Sequence, residues 1–251
     1  MPVPHTAVLA AILACGCGRF GFEDSGAPDA SAPTTDTPVQ SDASSSADRF
    51  LGGFVGRSPG DANLDVAIAP SDADLYVVGV TNWSGRSVVG ITDTAGGTYR
   101  PVFDRAGNPD GTASELWYAN GVRPATSVTV QMSTDGTEGF DVWVGLFTGV
   151  DPSPLAQYGG GCNRYPPDIQ AVPLIADAGT IVVVTTMLQN PIYTDAVAAP
   201  FKDIGDHTDG NGAAYFIVDT PGTYSPIWHI SSGEGISATT CSSGAAFPPL
   251  H

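Results

Sequence analysis

Two almost unbroken apolar runs, residues 75–81 and 181–188, lie about one hundred positions apart and constrain the fold more than any other feature. Each has the length of a strand rather than of a buried helix. Runs of this kind suit central strands covered on both faces. Around them, period-two or short apolar runs recur at 64–69, 87–92, 116–120, 127–132 and 142–147, then at 169–174, 213–218, 224–230 and 236–241. Turn chemistry separates them: Asn108-Pro109-Asp110-Gly111, Asp135-Gly136, Asp209-Gly210-Asn211-Gly212 and Pro221-Gly222. The pattern predicts an all-β chain, a large antiparallel β-sandwich of jelly-roll type. With 31 Gly and only 14% charged residues, the composition is that of a β-rich extracellular protein, not a cytosolic α/β enzyme.

The second half echoes the first, which predicts two tandem copies of about one hundred residues, 64–150 and 168–247. Asp65-Val66-Ala67-Ile68-Ala69-Pro70 answers to Asp168-Ile169-Gln170-Ala171-Val172-Pro173, and Leu75-Tyr76-Val77-Val78 to Ile181-Val182-Val183-Val184. Leu116-Trp117 matches Tyr215-Phe216, Val128-Thr129-Val130 matches Ile227-Trp228-His229, and Phe147 and Phe247 close the copies. The Pro- and Gly-rich connection at 151–167 permits one compact sandwich or two small ones, and one compact unit is favoured.

Charge and the N-terminal region bear on location. The formal net charge is −17, from 26 acidic and 9 basic residues, so the chain lacks the basic stripe that neutralises phosphates. Nucleic-acid binding is set aside. Residues 7–14 are small or apolar and run into Cys15-Gly16-Cys17, which resembles the signal peptide and lipobox of a bacterial lipoprotein. The resemblance implies removal of residues 1–14 and lipidation of Cys15, with Cys17 as the alternative; several acyl chains together give stable anchoring. Residues 1–5 depart from the pattern in carrying no Lys or Arg. An anchor region at 15–22 then leads into residues 23–48, which hold six acidic residues, no basic one and no aromatic. Such a segment cannot bury enough apolar surface to fold, and as a coil it spans about 28 Å root-mean-square. The expected location is the cell envelope, with Gly after either Cys pointing to the outer membrane; secretion is the alternative. The folded part is expected at 49–251.

A further resemblance lies in the body. Asp74-Leu75-Tyr76-Val77-Val78, Thr92-Asp93-Thr94-Ala95-Gly96-Gly97-Thr98-Tyr99, Leu116-Trp117-Tyr118-Ala119-Asn120, Val128-Thr129-Val130 and Gly149-Val150-Asp151-Pro152 look like a secreted bacterial β-sandwich module. The module implies the fold and no activity, so no catalytic residue carries over. Asp72-Ala73-Asp74 replaces its usual Gly-Asp turn, and Gly97 stands where Asn is common.

The sequence holds candidate residues for several chemistries. Cys162 and Cys241 are expected to pair in an oxidising envelope. There is no Gly-x-Ser-x-Gly elbow, and His229, beside Trp228 in a period-two run, is expected on the solvent face. Glu115, Glu138 and Glu234 each adjoin turn-like sequence, which argues against paired catalytic carboxylates. Asp206, Asp209 and Asn211, with Asp104, Asn108 and Asp110 at the matching place, form a candidate Ca²⁺ ligand set; Asp-Gly and Asn-Gly are also hairpin residues, and the turn reading is preferred. Trp83, Tyr158, Tyr165 and Tyr193, in expected loops, are candidates for stacking on sugar rings, while Trp117, Trp143 and Trp228 are assigned to the core. The resulting expectation is a non-catalytic, lipid-anchored protein displaying a sandwich for adhesion or glycan binding. The alternative is a structural envelope lipoprotein contacting partner proteins. Limited proteolysis should cut within 23–48 before it cuts the body; first cleavage inside 49–251 would contradict the tether.

Overall fold

A computed structural model describes residues 49–83, 85–103, 106–107, 111–120, 124–134, 138–158, 162–164, 168–171, 173–188, 194–206, 211–230 and 239–251. All belong to one compact unit, Ala43–His251. The expected signal, anchor and tether segments lie outside them.

The described residues form strands and no helix. The N-terminal half supplies β1 (Phe50–Ser58), β2 (Asn63–Ala67), β3 (Leu75–Asn82), β4 (Val88–Asp93), β5 (Arg100–Pro101), β6 (Ala106–Gly107), β7 (Ala113–Asn120), β8 (Ser127–Met132) and β9 (Phe140–Phe147). The C-terminal half supplies β10 (Ala156–Tyr158), β11 (Cys162–Arg164), β12 (Asp168–Gln170), β13 (Leu174–Ala176), β14 (Ile181–Leu188) and β15 (Thr194–Val197). It continues with β16 (Lys202–Asp203), β17 (Gly212–Ile217), β18 (Gly222–Tyr224), β19 (Ile227–Ile230) and β20 (Thr239–Phe247).

In the N-terminal half the large sheet has the order β1-β9-β3-β7-β5, with β6 also on β7, and the small sheet is β2-β8-β4. The interleaving of β1-β9-β3-β7 with β2-β8-β4 is that of nested Greek keys, a jelly roll. In the C-terminal half the large sheet has the order β10-β20-β14-β17-β16, with β11 also on β20, and the smaller sheets are β12-β19-β15 and β13-β18. All these pairings are antiparallel.

The question of one sandwich or two resolves into both. Alternation along β3 sends Tyr76, Val78 and Val80 toward Val66, Val128, Val130 and Met132 of the small sheet. Leu75 and Val77 point the other way, into a second core with Ile181 and Val183 of β14, Tyr215 of β17 and Phe247 of β20. Val182 and Val184 then meet Leu174, Val197 and Trp228 in a third core. Two sandwiches are thus stacked through their large sheets, and β3, β9, β14 and β20 are buried along their whole lengths.

Strand limits differ from the sequence reading where small residues dominate. β20 runs to Phe247, through Ser242-Ser243-Gly244-Ala245-Ala246, where the pattern suggested an end at Cys241. A Cβ on Gly244 would lie 2.9 Å from Cγ2 of its cross-strand partner Val184 and 3.0 Å from Leu174 Cδ1 on β13, so crowding within and between layers selects residues with little strand propensity. β1, with glycines at 52, 53 and 56, was not expected at all; a Cβ on Gly53 would lie 2.9 Å from the Gly205 nitrogen.

The two large sheets can be compared by register. Leu75 pairs with Phe147 and Asn120, and Ile181 pairs with Phe247 and Ile217. Phe147 and Phe247 hold the same place in the two sheets, and Tyr215 holds the place of Tyr118, two residues from Leu116. The two-residue offset keeps the side chain on the same face.

The Thr92–Tyr99 motif is explained locally. Asp93 Oδ1 accepts from the Ala95 and Gly97 amides at 2.8 and 3.0 Å, and Oδ2 accepts from the Tyr99 hydroxyl at 3.0 Å. A Cβ on Gly97 would collide with Oδ2, which accounts for glycine there. Burial, then the adjacent Asp93 charge and hydrogen bond, push the Tyr99 phenol far above its ordinary value. The unfolded chain ionises this tyrosine near pH 10 while the folded one holds its proton, so stability falls as pH rises above about 10. Tyr99→Phe should flatten that alkaline limb of a denaturant-unfolding series; an unchanged slope would contradict the assignment.

Candidate functional site

A cleft opens where β16 stops covering the edge of β17. Lys202 and Asp203 pair with Tyr215 and Ala214, and the Ile204 amide donates to the Ala213 carbonyl at 2.7 Å. Upstream the chain has left this edge: the Ala198 amide donates to the Ile227 carbonyl, on the outer sheet, at 2.8 Å. Asp203 fixes the crossing, its carboxylate accepting from the Trp228 indole and the Val197 amide, both at 3.2 Å. The result is a cleft of about 170 Å³ lined by Pro200, Lys202, Tyr215, Phe216, Ile217 and Asp219. Lys202 and Asp219 are exposed, and Phe216 is half-buried, its ring 5.6 Å from Phe201 and 5.1 Å from Tyr224. Tyr215 is buried, and burial pushes its phenol up.

A second, more open cavity of about 350 Å³ is lined by Asp74, Asn120, Val150, Pro152 and Leu250. Its one carboxylate serves structure. Asp74 Oδ2 accepts from the Gly149 amide at 2.6 Å and the Thr148 hydroxyl at 3.1 Å.

The residues singled out from sequence fall elsewhere. Of the candidate Ca²⁺ set, Asp206 is exposed, and its backbone carbonyl accepts from the Trp143 indole at 3.0 Å. Asn211 is buried: Nδ2 donates to Asp141 Oδ2 at 3.0 Å and Oδ1 accepts from the Leu188 amide at 3.4 Å. Asp209, Asp104, Asn108 and Asp110 lie outside the described residues. Among the described residues no group of three or more His, Cys, Asp or Glu is placed to hold a metal ion. Of the stacking candidates, Trp83 is half-buried and Tyr158 lies on β10 opposite Gly244, while Tyr165 and Tyr193 are outside the described residues. Trp143 and Trp228 are core residues as expected, and His229 is exposed beside Trp228. Glu115 is not beside a turn. It lies within β7 and is buried, Oε1 accepting from the Val88 amide and Oε2 from the Trp117 indole, both at 3.1 Å.

The expected disulfide is present. Cys162 and Cys241 face each other across β11 and β20, with Cα atoms 4.2 Å apart. Their counterparts across β1 and β9 are Arg57 and Asp141, which form an ion pair at 3.7 Å. The same rung is clamped covalently in one half and electrostatically in the other. Cys15 and Cys17 lie outside the described residues.

No protein-family profile, curated protein or solved structure matches the chain. The cleft residues escaped sequence reading, although Pro200, two positions before β16, offered a signal of a strand boundary. Replacing Cys162 and Cys241 together by Ala should lower stability by up to about 4.5 kcal/mol, the loop-closure value for a 79-residue separation. Denaturant titration with and without reductant checks it; a wild-type midpoint insensitive to reductant would contradict the clamp.

Proposed function

We propose that this chain is an exported, lipid-anchored envelope protein that displays a rigid double sandwich for adhesion or ligand binding, glycans included. The observation that carries the reading is the order of segments in the sequence. An apolar run into Cys15-Gly16-Cys17 precedes an acidic stretch without aromatics, and only then the strand-rich body. The Cys162–Cys241 disulfide supports export, because such bonds persist in oxidising compartments. Rigidity follows from the three cores and from the burial of β3, β9, β14 and β20 throughout their lengths. The body's resemblance to a secreted bacterial sandwich module is consistent with this reading.

We also propose that the two halves descend from one duplicated module. The matching strand order supports it, and so does a reciprocal pair of contacts. Tyr118 meets Phe247 edge-on at 5.6 Å, and its counterpart Tyr215 meets Phe147 edge-on at the same distance. Contacts of that kind are the mark of isologous packing about a twofold axis.

The anchor is tested by mass spectrometry of the mature protein from a bacterial membrane fraction. The expected N-terminus is an acylated Cys15, and Cys15→Ala should move the protein to the soluble fraction unless Cys17 is the modified residue. An unmodified N-terminus far from both cysteines would overturn the reading. A glycan array then separates sugar binding from protein contacts.

A further inference from the structure

The second cavity, lined by Asp74, Asn120, Val150, Pro152 and Leu250, stands on a turn held from both sides. Thr148 and Gly149, which follow β9, give their donors to Asp74: Oδ2 accepts from the Gly149 amide at 2.6 Å and from the Thr148 hydroxyl at 3.1 Å. Their carbonyls go to Arg49, whose Nε donates to Thr148 at 3.4 Å and whose Nη2 donates to Gly149 at 2.7 Å. Arg49 Nη1 donates to the Gly179 carbonyl of the other half. The Leu250 amide also donates to the Gly149 carbonyl, at 3.1 Å, and Val150 forms an antiparallel bridge with Pro249. Backbone bonds therefore fix Val150 and Leu250, and an occupant of the cavity is spared the cost of ordering them.

The turn uses one oxygen of the Asp74 carboxylate. Among the described residues nothing donates to the other, Oδ1. Asn120 stands close by, because it is the cross-strand partner of Leu75, the residue after Asp74. The Asn120 side chain is exposed, and no described residue bonds its amide. At about 350 Å³ the cavity lies at the low end of small-molecule sites, about 300–1,000 Å³. Each polar group narrows the ligand. The described lining holds a carboxylate and no cation, and the chain carries a net charge of −17, which disfavours an anion. An ammonium has no acceptor to offer the N–H groups of the amide. A hydroxyl both donates and accepts, so two on adjacent carbons serve both side chains at once. Val150, Pro152 and Leu250 then face the C–H groups of the ring.

We propose that this cavity binds one neutral sugar ring through a vicinal diol, one hydroxyl donating to Asp74 Oδ1 and its neighbour accepting from the Asn120 amide. The proposal rests on the ligand-binding reading of the body, which it deepens by naming the site and the class of ligand. It does not depend on the lipid anchor.

The test is a titration of the ¹⁵N-labelled full chain with the methyl glycosides of glucose, galactose and mannose, followed by amide chemical shifts. At least one should give saturable shifts at Asn120, Gly149 and Val150, with a dissociation constant on the order of 1 mM. Asn120→Ala should weaken that binding about two- to tenfold, the worth of one hydrogen bond. Its side chain is exposed, so an amide spectrum unchanged away from residue 120 will show that the variant folds. Asp74→Asn keeps an oxygen for the Gly149 amide while turning a donor toward the cavity, and binding should fall by a similar factor. No saturable shift with any of the three glycosides, or saturation by methylammonium alone, would overturn the proposal. Glycoside binding that shifts other residues and ignores Asn120→Ala would overturn this site and leave sugar binding by the body standing. Silence of the glycosides and of a glycan array together would remove the sugar-binding reading as well.

Discussion

Everything in this molecule depends on two large sheets lying face to face. Stacked sheets pack about 10 Å apart, so each side chain in the gap is limited by the one opposite. At one end the gap holds large residues, with Phe50 stacked on Tyr215 at 4.2 Å and Phe147 and Phe247 around them. At the other end it is filled by small and polar ones. A Cβ on Gly79 of β3 would stand 3.0 Å from Thr185 of β14, the residue that occupies the corresponding position in the other half. Hydroxyl groups there are used across the gap: Ser114 Oγ donates to the Thr185 carbonyl at 3.3 Å, and Ser243 Oγ donates to the Ser114 carbonyl at 2.9 Å. Buried polar groups are tolerated when hydrogen-bonded, and here those bonds set the register of one sheet upon the other.

The two rung clamps follow from the same geometry. In the N-terminal half the edge strand β1 is nine residues long and hydrogen-bonded along β9, so its position is held by the ladder itself. The Arg57–Asp141 pair, with Arg57 half exposed, adds at most about 1 kcal/mol. In the C-terminal half the corresponding edge is divided between β10 and β11, of three residues each. Short strands of this kind hold register weakly, and a covalent link at Cys162–Cys241 supplies what the ladder does not. Asp141 has a further duty. It accepts from Asn211 of the C-terminal half, joining the clamp of one half to the residue just before β17 in the other.

Much of this was legible in the sequence, and the failures have a common cause. The apolar runs at β3 and β14 announced strands covered on both faces, and β14 was read to its true limits. The ends of β20 and the whole of β1 were missed because Gly, Ala and Ser report close approach of another layer, not strand propensity. Glu115 was misplaced because a charged residue in a buried strand is rare unless its oxygens are engaged, and its partners Val88 and Trp117 are fixed only by folding. The cleft was illegible for a similar reason. Lys202 and Asp219 are seventeen positions apart in the sequence and are brought to one groove by β16 meeting β17.

The position of the cleft also follows from the architecture. Both faces of β14 and β3 are consumed by cores, so neither can offer a ligand surface. Where the described strands of such a stack can still engage a ligand is at the edges and ends of the large sheets. An open edge invites pairing with other chains unless it is short or charged. The β17 edge is both: among the described residues its covering strand β16 is two residues long, and Lys202 and Asp219 stand exposed beside it. An edge that short and that charged is protected against association with a second sheet.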